Sequence, residues 1–118
     1  MQPSFYKNRK ILVTGGDGFI GSRLTEKLVA LGCFPNILVR RKKTITQLRS
    51  LGNKIKIYES DITDYSKIKD IVTAIKPQIV FHLASFGVHT YTDTSYKNTK
   101  EMIDSNIAGS TNLLYALK

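Results

Sequence analysis

A chain of 118 residues is long enough for one packed domain or part of one, and no stretch approaches the ~20 consecutive apolar residues that span a bilayer. The 18 basic and 9 acidic residues leave a net charge of +9, which suits a polyanionic partner. Most of the basic residues are scattered, however (Lys54, Lys56, Lys67, Lys69, Lys97), without the interleaved aromatics of a nucleic-acid surface. The single cysteine, Cys33, closes no internal disulfide and suits a reduced, cytoplasmic setting, and Met1 to Lys10 holds no apolar signal core.

Lys10 to Thr14 is predicted as a first strand, apolar at Ile11-Leu12-Val13. It runs into Thr14-Gly15-Gly16-Asp17-Gly18-Phe19-Ile20-Gly21 and then a helix over Phe19 to Leu31. A glycine-rich turn between a buried strand and a helix N-terminus is a site for a pyrophosphate. Gly15 allows the sharp reversal, Gly18 keeps side chains away from the phosphate, and Gly21 lets the helix lie close. Gly15, Gly16, Asp17, Gly18, Phe19 and Ile20 are therefore candidate cofactor-binding residues. Ile20, Leu24, Leu28 and Leu31 fall on one face of that helix, which Gly32 closes as a left-handed cap ahead of Pro35.

Asn36 to Val39 reads as a second strand, followed by the dense basic run Arg40-Arg41-Lys42-Lys43 and a short helix over Thr44 to Leu51, ended by Gly52. Lys54 to Glu59 alternates Ile55 and Ile57 with polar neighbours, as a half-exposed strand does. Asp64 can cap a third helix in which Tyr65, Ile68, Ile71, Val72 and Ile75 share a face, with Pro77 beyond its end. Gln78 to Ala84 is a fourth strand, apolar almost throughout. After a polar loop, Asn98 to Leu117 forms a last helix with Met102, Ile103, Ile107, Leu113, Leu114 and Leu117 inward.

Strand and helix in alternation predict an α/β, Rossmann-type doubly wound parallel sheet in the order 3-2-1-4, with helices on both faces. Ligands then bind at the switch point, the crevice at the carboxyl ends of strands one and four. Ile79 to Ala84 has the composition of an interior strand yet would lie at an edge. Further strands are expected beyond Lys118, and the open edge could also pair two copies into a homodimer.

With those motifs in place, Lys10 to Lys118 resembles the extended branch of the short-chain dehydrogenase/reductase superfamily, the nucleotide-sugar epimerases, dehydratases and reductases. The Thr14–Gly21 string is similar to that branch's fingerprint, Phe19-Ile20-Gly21 in particular. Asp61 resembles the acidic residue that bonds the adenine, with Ile62 beside it lining the pocket. His82-Leu83-Ala84-Ser85 is similar to the segment whose backbone, here Leu83, Ala84 and Ser85, lies under the cofactor's ribose and nicotinamide. Asn106-Ile107-Ala108-Gly109-Ser110-Thr111-Asn112-Leu113-Leu114 is similar to the helix that follows. His82 reads as a core histidine holding neighbouring backbone or as a proton-transfer group, Asn106 as a backbone tether or a site residue, and Gly109 as a point of close helix approach. The loop Ser85 to Tyr91 borders substrate in the relatives, and Phe86 or Tyr91 could stack there.

The resemblance implies a catalytic Tyr-x-x-x-Lys pair on the helix after a fifth strand and a substrate domain, both expected beyond Lys118, so that residues 1–118 are a partial NAD(P)-binding domain. Tyr65–Lys69 and Tyr96–Lys100 match the pair's spacing but not its place, so no catalytic residue is assigned, nor any metal site. The chain departs from NAD-preferring members, which end strand two with an Asp: here Arg40-Arg41 follows Val39. A carboxylate repels a 2′-phosphate and an arginine pairs with it, so NADP is expected over NAD, carried by Arg40. Two readings follow: the cofactor-binding portion of a nucleotide-sugar enzyme, inactive alone, or a non-catalytic NADP-binding sensor or regulatory module. Neither involves a membrane or nucleic acid.

Overall fold

Three apolar residues in succession, Ile11-Leu12-Val13, suit a strand covered on both faces, and in the computed structural model all three are fully buried. Residues 2–42, 46–86 and 94–118 are described. Lys43, Thr44 and Gly87, Val88, His89, Thr90 and Tyr91, which belong to the basic run, the short helix and the substrate loop, lie outside them.

The order is α1 (Pro3–Tyr6), β1 (Ile11–Thr14), α2 (Phe19–Ala30), β2 (Asn36–Val39), a 3₁₀ segment (Thr46–Lys54), β3 (Lys56–Glu59), α3 (Tyr65–Ile75), β4 (Ile79–His82), α4 (Tyr96–Ile103), a π-helical turn (Asp104–Ala108) and α5 (Gly109–Ala116). The sheet runs β3-β2-β1-β4, parallel throughout, with Val13 opposite Ile37 on one side and Phe81 on the other. This is the expected doubly wound, Rossmann-like sheet. Alternation along the strands divides the core. Ile11, Val13, Ile37 and Val39 pack with Leu28 and Leu48 on one face, and Leu12 and Leu38 pack with Ile68, Val72 and Leu113 on the other. Among the described residues β4 has a strand partner on one edge only, and Tyr6 of α1 lies 6.4 Å from Phe81, ring to ring.

Caps fall where the residue types put them. The Asp64 carboxylate accepts from Lys67 N–H at 3.2 Å, and Gly32 takes a φ of +83° as Cys33 N–H turns back to Leu28 O at 3.0 Å. Burial pushes the Cys33 thiol pKa up, in keeping with a packing role.

Four expectations are corrected. The short helix is 3₁₀ in form, interrupted at Gly52 with φ +52°. In α2 Leu28 is buried and Leu24 and Leu31 pack against the core as expected, but Ile20 is 68% exposed and Gly21, Ser22 and Thr25 complete the buried stripe. Tyr65, expected on the apolar face of α3, is exposed. The last helix is broken by the π turn, and of its six apolar residues Leu113 is buried while Ile103, Ile107 and Leu114 are exposed. The physical reason is shared by α2 and α5: both approach closely, and close approach selects small residues. A Cβ on Gly109 would stand 2.5 Å from Ile62 Cγ2, so Gly109, Leu113 and Ala116 face inward, and helical spacing carries Ile107 and Leu114 to the opposite side.

This assignment of faces is testable by denaturant unfolding. Ile68→Ala should cost about 2–5 kcal/mol, as for a fully buried aliphatic side chain, whereas Ile107→Ala should stay within about 0.5 kcal/mol. Equal losses would show that the last helix faces the core as its apolar pattern suggested.

Candidate functional site

The chain leaves β1 through a turn that no side chain could share. Gly15 has φ +68°, and a Cβ there would stand 2.7 Å from Ala84 N, so the segment after β4 lies directly on the turn. Gly15 N–H donates to Leu38 O at 2.9 Å and Gly18 N–H returns to Gly15 O at 3.1 Å. A Cβ on Gly21 would stand 2.1 Å from that same Gly15 oxygen, so α2 docks with its first turn against the strand end. Gly18 caps α2 without a side-chain bond. The first amides of a helix have no partner within it, and together with the positive end of the helix dipole they favour an anion.

Above this turn opens a cleft of about 660 Å³. Gly15, Asp17, Gly18, Phe19 and Ile20 line it with Arg40, Asp61, Ile62, Leu83, Ala84 and Ser85, so eleven of the twelve candidate residues converge on one space. Gly16 is not among the lining residues: a Cβ there would stand 2.3 Å from Ile37 Cγ2, and its bareness serves core packing. Phe19 is 80% exposed at the rim.

A polar junction lies beneath the cleft. Thr14 Oγ1 accepts from Leu83 N–H and Ala84 N–H, both at 3.1 Å, and stands 2.6 Å from His82 Nδ1. His82 Nε2 stands 2.8 Å from Ser110 Oγ, which donates its proton to Asn106 O at 2.7 Å. Each hydroxyl has one proton, so the network assigns the tautomer. Ser110 accepts from Nε2–H, and Thr14, its lone pairs taken by two amides, donates to a bare Nδ1. Burial pushes the His82 pKa below its ordinary 6.5, in agreement with a neutral ring. His82 thus ties the end of β1 to α5 through Thr14 and Ser110, beneath the residues that line the cleft. Asn106 is likewise a tether, accepting from Phe86 N–H at 2.9 Å and donating to Phe86 O at 3.0 Å. Asn112 Nδ2 donates to Ile62 O at 3.1 Å.

Arg40 and Asp61 meet across the cleft, Nε to Oδ2 at 3.3 Å, and the Arg40 guanidinium lies 5.9 Å from the Phe86 ring centre. Asp61 Oδ1 accepts from Thr63 N–H at 3.0 Å and from the Thr63 hydroxyl at 2.8 Å. Burial alone would raise the Asp61 pKa, but these two bonds and the Arg40 charge outweigh it and hold the carboxyl below its ordinary value. The two Tyr-x-x-x-Lys strings stay outside. Tyr65 and Lys69 pair with each other on α3, and Tyr96 is 81% exposed while Lys100 reaches Asp104 at 2.7 Å. Thr14, Thr63 and Ser110 escaped the sequence reading because hydroxyl residues carry no periodic signal. Their positions did carry a signal: Thr14 ends β1, Thr63 lies in the turn before α3 and Ser110 in the first turn of α5, each next to a residue already singled out.

The family model for GDP-mannose 4,6 dehydratase matches residues 12–118. CDP-glucose 4,6-dehydratase of Salmonella typhimurium is 29% identical over 98% of this chain and 32% of its own length. UDP-glucose 4-epimerase of Mycoplasma pneumoniae is 31% identical over 92% of this chain and 32% of its own. Among solved structures, UDP-glucose 4-epimerase of Thermus thermophilus in complex with NAD superposes with a TM-score of 0.72 at 26% identity, covering 90% of this chain and 32% of that one. The chain therefore spans about a third of the length of these relatives.

Two outcomes check the polar junction. Thr14→Val strands the Ala84 amide and a ring nitrogen, while Leu83 N–H keeps its bond to Thr14 O at 3.1 Å, and should cost about 2–5 kcal/mol in urea unfolding; a loss under about 1 kcal/mol would show the hydroxyl to be dispensable. Because the folded pKa of His82 is depressed, its contribution is full above the unfolded value of 6.5 and is lost as pH falls through the lower folded value. Stability should decline as the pH falls from 6.5 toward that lower value, and less steeply in His82→Gln. Identical slopes in the two proteins would contradict the assignment.

Proposed function

The chain belongs to the GDP-mannose 4,6 dehydratase family, among the epimerases and dehydratases of the short-chain dehydrogenase/reductase superfamily, and from that membership we propose that it is the cofactor-binding portion of an NADP-dependent nucleotide-sugar epimerase, dehydratase or reductase. One observation carries the reading: a glycine turn, a helix N-terminus and a strand-end arginine open into a single cleft. The turn from Gly15 to Gly21 would hold the pyrophosphate, Asp61 and Ile62 the adenine, and the backbone of Leu83, Ala84 and Ser85 the nicotinamide half. When bound, the nicotinamide supplies hydride transfer. The chain's own residues orient it, and the fixed segment after β4 keeps the floor of the cleft in register with the α2 amides.

The Thermus epimerase was solved with NAD, but Arg40 favours NADP here. A charge-assisted bond to a 2′-phosphate contributes about 1.5–3 kcal/mol, roughly ten- to a hundred-fold in affinity. The family resemblance supports a nucleotide sugar as the substrate of the whole protein, and the lone buried Cys33 supports a cytoplasmic setting. A second reading is a non-catalytic NADP-binding sensor or regulatory module of the same superfamily. Reduction or epimerisation of a nucleotide sugar by the full-length protein would decide for the enzyme, and binding of NADP without turnover for the module.

Calorimetric titration checks the cofactor. NADP should bind more tightly than NAD, and Arg40→Asp should lower NADP affinity about ten- to a hundred-fold while NAD changes little. An unchanged preference would defeat the assignment. Gly21→Val, which forces a side chain into the Gly15 carbonyl, should abolish binding of both cofactors; full binding would place the phosphates elsewhere.

A further inference from the structure

We propose that Asp61 is a specificity-determining residue of this cleft, one that restrains Arg40 and so tempers the preference for a 2′-phosphorylated cofactor. The proposal rests on the cofactor reading above and adds to it a second, opposing charge. Arg40 follows β2 and Asp61 follows β3, and those strands are parallel neighbours with Val39 beside Glu59. Ser60 N–H donates to Val39 O at 3.0 Å, which carries the pairing past the strand ends and delivers the two side chains to the same rim.

The two partners are not equally free. One Asp61 oxygen is tied twice to Thr63, so the carboxylate is fixed and turns its other oxygen to Arg40. Arg40 is half exposed, and on its far side it meets Phe86, whose backbone Asn106 clamps. The neighbouring acid, Glu59, is turned instead to the backbone N–H of Lys42. Asp61 is therefore the carboxylate that Arg40 must share with any anion arriving at the end of β2. A phosphate dianion there competes with Asp61 for the guanidinium and is repelled by it. A ribose hydroxyl at the same place meets no such penalty and can donate to the carboxylate. Arg40 thus favours the phosphorylated cofactor and Asp61 the unphosphorylated one. Because both groups are partly in water, the opposition is modest, worth a few-fold rather than orders of magnitude.

The test is a cycle of four proteins, the parent, Asp61→Asn, Arg40→Gln and the double variant, each titrated with NADP and with NAD at one ionic strength. Asparagine keeps the oxygen that accepts from Thr63, and thermal unfolding of each variant confirms that it is folded. Loss of an adenine contact would weaken both cofactors alike, so the readout is the ratio of the two affinities. Asp61→Asn should raise the NADP-to-NAD ratio about three- to ten-fold, and most of that rise should vanish when Arg40 is glutamine. A ratio that falls or stays within about two-fold overturns the proposal, as does an undiminished rise without Arg40. Failure of the underlying cofactor reading has a different signature: Arg40→Gln alone would then leave the parent's ratio where it was.

Discussion

Three pieces of main chain meet where β1 ends, and none leaves room for a side chain on the others. Gly15 stands against the backbone of Leu83 and Ala84, and Gly21 against the carbonyl of Gly15. This contact fixes where α2 begins and which way its first amides face. A single methyl group at either glycine would push the helix off the strand end or the β4 segment off the turn. The positive backbone φ at Gly15 adds a second reason why a larger residue is excluded there. Everything proposed for the cleft presupposes that this junction is closed.

Around the junction, each loop that borders the cleft is held by a side chain from a regular element. The Thr14 hydroxyl, at the end of β1, takes the amides of Leu83 and Ala84. The Asn106 carboxamide, in the π turn, clamps both backbone groups of Phe86, and Asn112 on α5 takes the carbonyl of Ile62. Segments after strands usually belong to the least stable parts of a fold. Here each such bond adds about 0.5–1.5 kcal/mol of local stability and, more to the point, sets one position. His82 couples two of these tethers, because the ring that accepts from Thr14 donates to Ser110 one turn from Asn106. The π turn has a clear use in this scheme. It widens the helix just where Asn106 must reach Phe86 while Gly109 closes on Ile62, the kind of place where such insertions recur.

Much of this was legible in the residues. The sheet order and the carboxyl-end crevice followed from apolar runs and the alternation of elements, and Gly15 to Ile20 from glycine spacing, whereas Asp61, Ile62, Leu83, Ala84 and Ser85 came from the family resemblance; eleven of the twelve candidates line one cleft. What misled was the use of apolarity to choose helix faces. In α2 the contact face is Gly21, Ser22 and Thr25, small residues whose hydroxyls are satisfied by Phe19 O, Gln47 and Gly21 O. In the last helix Gly109 marks the contact, with Leu113 inward beside it, and Ile103, Ile107 and Leu114 turn outward. Hydrophobic periodicity finds a face that wants covering, but it does not say by what. Where two backbones come close, the smallest residues give the better guide, and Gly16 shows the converse: a glycine within a binding motif can be there for the core.

The net charge of +9 invites the thought that basic side chains create an anion site, and the geometry argues otherwise. Of the described residues that line the cleft, the charged ones are Arg40 against Asp17 and Asp61, so that lining carries no basic excess. The scattered lysines supply a long-range field that draws polyanions toward the molecule, which is a matter of encounter rate. Holding a pyrophosphate is a different task, suited to fixed N–H dipoles at the head of α2 that need no counter-charge and lose no side-chain entropy on binding. The side-chain charges are then left to discriminate. On the proposed reading, with a guanidinium and a carboxylate 3.3 Å apart at the ribose end, a small change in either partner would alter the balance between phosphate and hydroxyl without touching the main-chain cradle. On that reading affinity and selectivity are assigned to different parts of one cleft, the first to backbone that glycine spacing dictates, the second to two side chains at neighbouring strand ends.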